Sequence, residues 1–508
     1  MPTQDPVVLD GRTLDLERFA HVVFDHRPVR LADSARRAIG EARRVIDRAV
    51  AGGEAVYGVN TGFGNLANVR IGEADLVTLQ ERLLMSHAAG MGEPLDEPAV
   101  RGMLLLRANT LARGHSGVRA EIVARLLDFL NRRIVPYVPS RGSVGASGDL
   151  APLAHLALPV LGRGECLVEG RRLPAAEALA AAGLAPLPLA PREGLGLING
   201  TQAMTSVLAL TVLEARRLVR LADLAGALSC DALRGTDAAF DARVQAVRPH
   251  PGQIASAANL WSLLQGSAIR ESHRRHDVRI QDPYSLRCMP QVHGAARDVL
   301  RDVEAKLAIE MNAATDNPLI FADLDGAISG GNFHGEPMAM AADFLAIALA
   351  ELGAIAERRI EKLTNETFSG LPPFLVERAG LNSGFMILQV TAAALASENK
   401  TLAHPASVDS LPTSADKEDH VSMGMWAALK ARLVAANVRR ILALELLAAA
   451  QGIDLLRPLR SSAALERLHA ALRDLVAPWT EDREMWPDLE RAERFAESGV
   501  DSHLAGLG

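Results

Sequence analysis

Cysteine is scarce: Cys166, Cys230 and Cys288 are the only three in 508 residues. They lie far apart and form no CxxC, so neither a disulfide framework nor a thiol redox motif is predicted. A reducing, cytoplasmic setting is the expectation that follows. Basic excess is also missing. Lys and Arg number 54 against 61 Asp and Glu, a formal net charge of −7, which argues against a nucleic-acid binder. No uncharged apolar run reaches the ~18–20 residues of a membrane span. The opening MPTQDPVVLDGRTLD has acids but no apolar stretch of the signal-peptide kind. Neither a membrane partner nor an export leader is therefore expected. No acid–histidine cluster has zinc spacing. His273 and His276 are spaced HxxH, but inside the charged run ESHRRHD, which predicts a solvated face and no metal. Aromatic residues make up only 4% of the chain, with three tyrosines in all, so a tyrosine inside a motif carries weight.

What is present is the balance of a folded protein, with 49% apolar and 23% charged residues. The length exceeds the ~100–200 residues of one domain. Helical signal dominates. Residues 296–312 place Val299, Leu300, Val303, Leu307 and Met311 at helical spacing. The stretch 338–363 is apolar almost all round in its first half, the pattern of a helix buried among helices. Residues 385–402 and 427–452 read the same way, with Gly452 as the stop of the latter. Long, Ala-rich helices of this kind predict a bundle. Residues 1–200 carry shorter helical patches, at 32–51 and 73–89, broken by glycine-rich turns. The proline-rich LAPLPLAPR at 184–192 reads as a connection. A boundary near residue 200 divides the chain into 1–200 and 201–508, and the tail 461–508 returns to amphipathic helix. Strands are few; ECLVEGRRL at 165–173 reads as a small hairpin turning at Glu169-Gly170. The predicted fold class is mainly α.

The most unusual segment is RGSVGASGDL at 141–150. Three readings apply to it. One is a surface turn or a helix start capped by Asp149. The second is a phosphate loop, but neither GxxxxGK[ST] nor GxGxxG is matched. The third uses the order Ala146-Ser147-Gly148. Glycine has the least hindered backbone nitrogen and lets the chain fold back tightly. Attack of Gly148 N on the Ala146 carbonyl closes a five-membered ring. Loss of one water there, and of the Ser147 hydroxyl as a second, leaves an exocyclic methylene conjugated to the ring. That is an electrophile no ordinary side chain supplies.

The surroundings favour the third reading. GSVGASGDLAPLAHLAL resembles the signature of the aromatic amino acid ammonia-lyase and aminomutase family, which makes 4-methylidene-imidazol-5-one (MIO) from this triplet. Further blocks resemble the family in its order: YGVNTGFG (57–64), SHAAG (86–90), EGLGLINGTQ (193–202), QDPYSLRC (281–288), TDNPL (315–319), GGNFHGEP (330–337), LPPF (371–374) and EDHVSMG (418–424). The resemblance implies an N-terminal MIO-bearing domain followed by a long central helical bundle, and no external cofactor. It also implies a homotetramer with shared active sites. Within the family the pattern is most like the branch that converts L-histidine to trans-urocanate and ammonia. SHAAG, NGTQ and QDPYSLRC carry this, as does Glu418-Asp419 where phenylalanine and tyrosine enzymes usually show Gln-Asp. Glu418 and Gln202 count against the rival reading, a tyrosine or phenylalanine lyase or aminomutase of the same family. The intact triplet beside Tyr57 and Arg287 counts against a non-enzymatic scaffold.

The resemblance also assigns roles. Tyr57 is the base that removes a β-proton, and because a free phenol has a pKa of ~10, nearby donors or positive charge must stabilise its phenolate. Tyr284 supports the MIO ring. Arg287, three residues on, shares a helical face with Tyr284 if the segment is helical and clamps the substrate carboxylate. Asn199 stabilises negative charge near the MIO carbonyl. His87 and Glu418 hold the imidazole, which an acid suits and a phenyl ring does not. Phe333 packs on the substrate ring, and Gln281 lines the pocket. Four positions depart from the usual pattern: Met289 for Gln, His293 for Met, Lys417 for Gln and Gly196 for Ala. Met289 and Lys417 adjoin motif positions, where they can reshape or recharge the pocket.

Overall fold

The structure, a computed structural model, describes residues 5–52, 57–62, 70–275, 277 and 279–508. Helices dominate it, and the chain divides into two units. The first takes in the chain up to Leu210, together with Glu304–Asp343 and Pro405–Leu429. The second comprises Thr211–Val303, Phe344–His404 and Lys430–Gly508.

The first unit is built round the helix Glu97–Ala112, in which every residue from Ala99 to Ala112 is buried. A proline stands in its first turn, where a missing N–H costs nothing. The helices Leu16–Val23 and Ala120–Asn131 bring Phe19, Val22, Ile122, Leu126 and Phe129 into the same core. Burying a side chain of that size contributes roughly 1.5–3 kcal/mol. Arg101 lies inside this core, where its guanidinium donates to the Val22, Val23 and Leu130 carbonyls. It thereby serves the carbonyl ends of two helices that have no further turn to bond. Short strands fill the rest, including the parallel pair Val7–Leu9 and Val29–Leu31 and the antiparallel hairpin Leu319–Phe321 and Gly326–Ile328. The hairpin predicted at 165–173 is present as Glu165–Val168 and Arg171–Pro174. Glu169 and Gly170 both have positive φ, 49° and 75°, the backbone of a tight two-residue hairpin turn.

The second unit is mainly helical, and no β-strand falls among its described residues. It includes the greater part of the helices Gln202–Ala232, Met289–Glu310, Glu336–Thr364 and Gly424–Leu455, together with Pro251–Leu264, Met386–Leu402 and Ala463–Arg473. Charge is paired inside it. Arg359 donates to both carboxylate oxygens of Glu445, at 2.5 and 2.9 Å, and Ser229 Oγ adds a third bond at 2.7 Å. Three long helices meet at that point. Asp223, also fully buried, accepts from His293 Nδ1 at 2.8 Å and Arg297 at 2.6 Å, with Ser256 and Asn259 completing its shell.

The helices predicted at 296–312, 338–363 and 385–402 are found as Met289–Glu310, Glu336–Thr364 and Met386–Leu402. Glu336–Thr364 is long and apolar enough to cross a bilayer by length and composition, yet 67% of its most apolar window is buried in the protein. One expectation is corrected. Gly452 does not stop its helix, which runs on to Leu455. A Cβ at Gly452 would sit 3.0 Å from the Ala232 Cβ, so the residue is small because two helices touch there. A second correction concerns His273. It is half-buried, not solvated, and its Nδ1 lies 3.1 Å from Asp277. Its HxxH companion His276, like Phe63 and Gly64 of the YGVNTGFG block, lies outside the described residues.

Candidate active site

Ala146, Ser147 and Gly148 lie in irregular backbone between the strand Pro139–Arg141 and the helix Leu150–Ala157. Gly148 has φ +73°, and a Cβ there would fall 2.1 Å from the Gly200 carbonyl oxygen, so only glycine fits. Among the described residues the Gly148 nitrogen donates no hydrogen bond. Next along, the Asp149 N–H donates to Gly200 O at 2.7 Å. The Asp149 carboxylate does not cap its own helix. Its Oδ2 accepts from Ala203 N and Met204 N, both at 2.9 Å, and so caps the helix Gln202–Ala232, while Oδ1 accepts from Ser143 Oγ at 2.8 Å. Burial pushes the Asp149 carboxyl up to about 6, against the pull of those three donors. One aspartate thus joins the triplet to the segment that carries Asn199.

Asn199 ends the short helix Glu193–Ile198. The start of that helix is fixed by Glu193, which is buried and accepts a bidentate pair from Arg119 at 2.8 and 2.7 Å. Its end is fixed by Arg107, which donates to Asn199 O at 2.8 Å, to Gln202 Oε1 at 2.9 Å and to the Gly196 carbonyl. Burial brings Arg107 down to about 10, with Asp316 opposing and Arg192 reinforcing the shift. The Asn199 side chain then reaches the triplet: Nδ2 donates to Ser147 O at 3.4 Å, and Oδ1 is buried without a partner among the described residues.

Glu418 arrives from a far part of the sequence. Its Oε1 accepts from Ser147 Oγ at 3.1 Å and its Oε2 from Thr413 Oγ1 at 2.7 Å. His87, the last residue of the helix Leu76–His87, lies near enough for Glu418 to act on it. Burial lowers the His87 pKa, while the Leu83 carbonyl and the Glu418 charge pull the other way. A carboxylate, an imidazole, a side-chain amide and a serine hydroxyl therefore converge. Such a set can bind a polar ring and move protons beside it.

Two further residues stand on segments anchored to this group. Tyr57 is half-buried, and the glycine after it presses on the helix Glu193–Ile198, where a Cβ at Gly58 would lie 2.4 Å from Leu195. Phe333 is half-buried beside His334, whose Nε2 donates to the His420 carbonyl at 3.1 Å. The rings of His334 and His420 stack 5.9 Å apart. The segments of Phe333 and Glu418 are thus tied together.

Gln281, Tyr284 and Arg287 belong to the second unit and form a group of their own. The helix Tyr284–Arg287 is a single turn, and the Arg287 guanidinium lies 4.7 Å from the Tyr284 ring centre, so the shared face is present. Tyr284 is 71% exposed. Gln281 lines an open cavity of about 900 Å3 with His273, Arg279 and Phe368.

Sequence reading missed several residues that hold the site: Thr413, Asp316, Arg192 and the cross-segment role of Asp149. Arg192 and Asp316 are a wholly buried pair, 2.8 Å apart. Asp316 lies in the TDNPL block and Arg192 closes the proline-rich 184–192 stretch just before EGLGL, but a charge in a sequence does not announce its burial. Gln202, which weighed on substrate in the sequence, is buried and spends its amide on Thr110 and Thr315. Of the departures, Met289 is wholly buried against Gly226, so it packs a core and does not face a pocket. Gly196 sits tight against Val118, where a Cβ would meet Cγ1 at 2.7 Å. Lys417 is exposed in the turn before Glu418.

The profile of the family described as Aromatic amino acid lyase matches residues 14–474. A histidine ammonia-lyase of Anaeromyxobacter sp. (strain K) is 54% identical over 503 residues, covering 97% of this chain and 99% of the relative. Among solved structures, histidine ammonia-lyase from Trypanosoma cruzi superposes with a TM-score of 0.91 at 44% identity, covering 99% of this chain and 97% of that one. Tyrosine aminomutase from Streptomyces globisporus superposes with a TM-score of 0.94 at 39% identity and covers 99% of each chain. One backbone thus serves proteins named for different amino acids, and the side chains must separate them.

Proposed function

This chain belongs to the aromatic amino acid lyase family, and from that premise we propose that it eliminates ammonia from L-histidine to give trans-urocanate. The observation that carries the histidine reading is the Glu418 carboxylate, beside Ser147 and within electrostatic reach of His87. A carboxylate accepts the N–H of an imidazole, whereas a phenyl ring has no N–H to offer it.

An MIO electrophile formed from Ala146, Ser147 and Gly148 supplies the electron-poor carbon that the reaction needs. The residues fit that group: position 148 excludes any side chain, and Asn199 Nδ2 is aimed at the Ser147 carbonyl, where negative charge gathers. Tyr57 takes the β-proton. Arg287 grips the substrate carboxylate with its planar pair of N–H groups. Glu418 and His87 hold the imidazole and set its orientation. Phe333 covers the ring, Tyr284 supports the MIO ring, and Gln281 borders the substrate.

In this reading residues 1–200 act as the MIO-bearing domain and 201–508 as the helical bundle domain. The enzyme works as a homotetramer with shared sites, a reading supported by the exposed ring of Tyr284. It works in the cytoplasm, a reading supported by three free cysteines, two of them buried. The test needs no added cofactor. Purified protein given L-histidine should release urocanate and ammonia in equal amounts. Its mass should be short by two waters, located in the peptide holding residues 146–148. An active protein of unmodified mass would overturn the MIO assignment.

A further inference from the structure

We propose that Glu418 has an earlier task in the same site: it moves the protons that dehydrate Ser147 when the electrophile forms. This rests on the functional reading above, because a chain that makes no MIO has no such step. Two contacts bracket Ser147 at the atoms the step requires. Its hydroxyl Oγ donates to Glu418 Oε1 at 3.1 Å, and its carbonyl oxygen accepts from Asn199 Nδ2 at 3.4 Å.

The carboxylate is held for this position. Thr413 Oγ1 occupies Oε2 at 2.7 Å, which leaves Oε1 facing Ser147. The backbones of Thr413 and Glu418 also bond each other in both directions, at 2.9 and 3.3 Å. They close a turn in which Ser414, Ala415 and Asp416 all have left-handed φ, 52°, 53° and 61°. Conformations of that kind are unfavourable for residues with a side chain and persist where the surroundings impose them.

The chemistry balances without any outside reagent. The Ser147 Cα–H bond breaks, and its electron pair becomes the second bond between Cα and Cβ. The Cβ–Oγ bond breaks with its pair on oxygen, and Oγ leaves as water after taking a proton. Glu418 receives one proton and gives one, so it ends in the charge state in which it began. Asn199 lowers the cost of losing the Cα proton by donating to the carbonyl oxygen on which negative charge collects. The other water takes its oxygen from the Ala146 carbonyl and its two hydrogens from the Gly148 and Ser147 nitrogens, as Gly148 N bonds to the Ala146 carbonyl carbon and that carbon then double-bonds to Ser147 N. The Glu418 carboxylate bonds none of these atoms among the described residues, its partners being Ser147 Oγ and Thr413 Oγ1. The two losses are therefore separable.

The experiment follows maturation and not turnover. Full-length chain is made in a cell-free system, quenched at intervals and weighed intact, then as the peptide holding residues 146–148. The parent should lose two waters. Glu418→Gln keeps the size and a hydrogen-bonding oxygen but cannot carry the proton. It should accumulate a species lacking one water and lose the second at least ~10²-fold more slowly, the low end of what a positioned acid–base group supplies. Thr413→Val, which leaves the carboxylate in place but unheld, should slow only the second loss and by less; it also carries the test should Glu418→Gln fail to fold. Loss of both waters by Glu418→Gln at the parent's rate would overturn the proposal. A parent that keeps its full mass would instead overturn the functional reading.

Discussion

Asp149 in the first unit and Asp223 in the second are both fully buried, yet their acidities move in opposite directions. Burial pushes Asp149 up to about 6, and its partners are two backbone amides and a serine hydroxyl. Asp223 is pushed up by burial too, but the His293 bond and the Arg297 charge more than offset that, and it ends below the ordinary carboxylate range. The difference reflects two ways of using polar atoms in a core. Around Asp149 the chain is irregular, and neutral donors to its carboxylate fix one segment to another. In the helical unit, cations bind carboxylates to tie long helices together. The first arrangement leaves reactive atoms in defined places, and the second gives a frame.

Removing a cation from the frame should have the largest effect. Arg359→Ala leaves Glu445 fully buried without its bidentate partner, at a cost of about 3–5 kcal/mol. Chemical denaturation followed by circular dichroism should show a lowered midpoint. An unchanged midpoint would mean that the second unit does not depend on its buried cations.

Tyr57→Phe should act on the other side of the comparison. It removes the proposed base, so turnover should fall by ~10²–10⁴-fold, while the loss of two waters and the thermal midpoint stay as in the parent. Near-normal turnover would move the base to another residue.

Asp149 gives an effect of about 3 kcal/mol at most, from a shift of roughly two pKa units at 1.36 kcal/mol each. The sign follows from a folded-state value raised above the unfolded one. The stabilising contribution is present below about pH 4 and is lost as pH rises through about 6. Asp223 works oppositely, because its lowered value contributes stability at neutral pH that is lost on acidification. Asp149→Asn keeps an oxygen for the two helix-capping bonds and has no charge to bury. Thermal midpoints taken between pH 4 and pH 6.5 should therefore show a smaller decline with rising pH for the variant than for the parent. Equal slopes would show that another group sets the dependence.

Glu418→Gln should give the smallest effect, once rates are expressed per matured site. A charge-assisted bond contributes roughly 1.5–3 kcal/mol, so kcat/KM for histidine should fall by at least ~10-fold. Tyrosine and phenylalanine rates should stay low or rise slightly. A fall shared by all three substrates would indicate a general defect and not the loss of an imidazole contact.

The contrast between the units also explains what could be read from the sequence. The frame was legible from long apolar, Ala-rich stretches: 338–363 and 385–402 lie within a residue or two of their helices, because a helix buried among helices is apolar almost all round. Gly452 misled because a glycine at a helix contact looks like one at a helix end. The site was not legible that way. Ser147, Asn199 and Glu418 stand on irregular backbone, and 271 residues separate Ser147 from the carboxylate it meets. Motif resemblance picked out those residues, and only coordinates could join them. Thr413 carries no motif of its own and became visible only through its bond to Glu418, and Asp316, though inside the TDNPL block, showed its part only through its pairing with Arg192.

The central claim is that this chain is a histidine-specific eliminating enzyme, and the most direct measurement compares kcat/KM for L-histidine, L-tyrosine and L-phenylalanine on one preparation, followed by the absorbance of the unsaturated products. The account predicts that urocanate formation exceeds either of the other reactions by at least ~10-fold, the worth of the Glu418 contact alone. A preparation that has lost two waters yet prefers tyrosine or phenylalanine would contradict it.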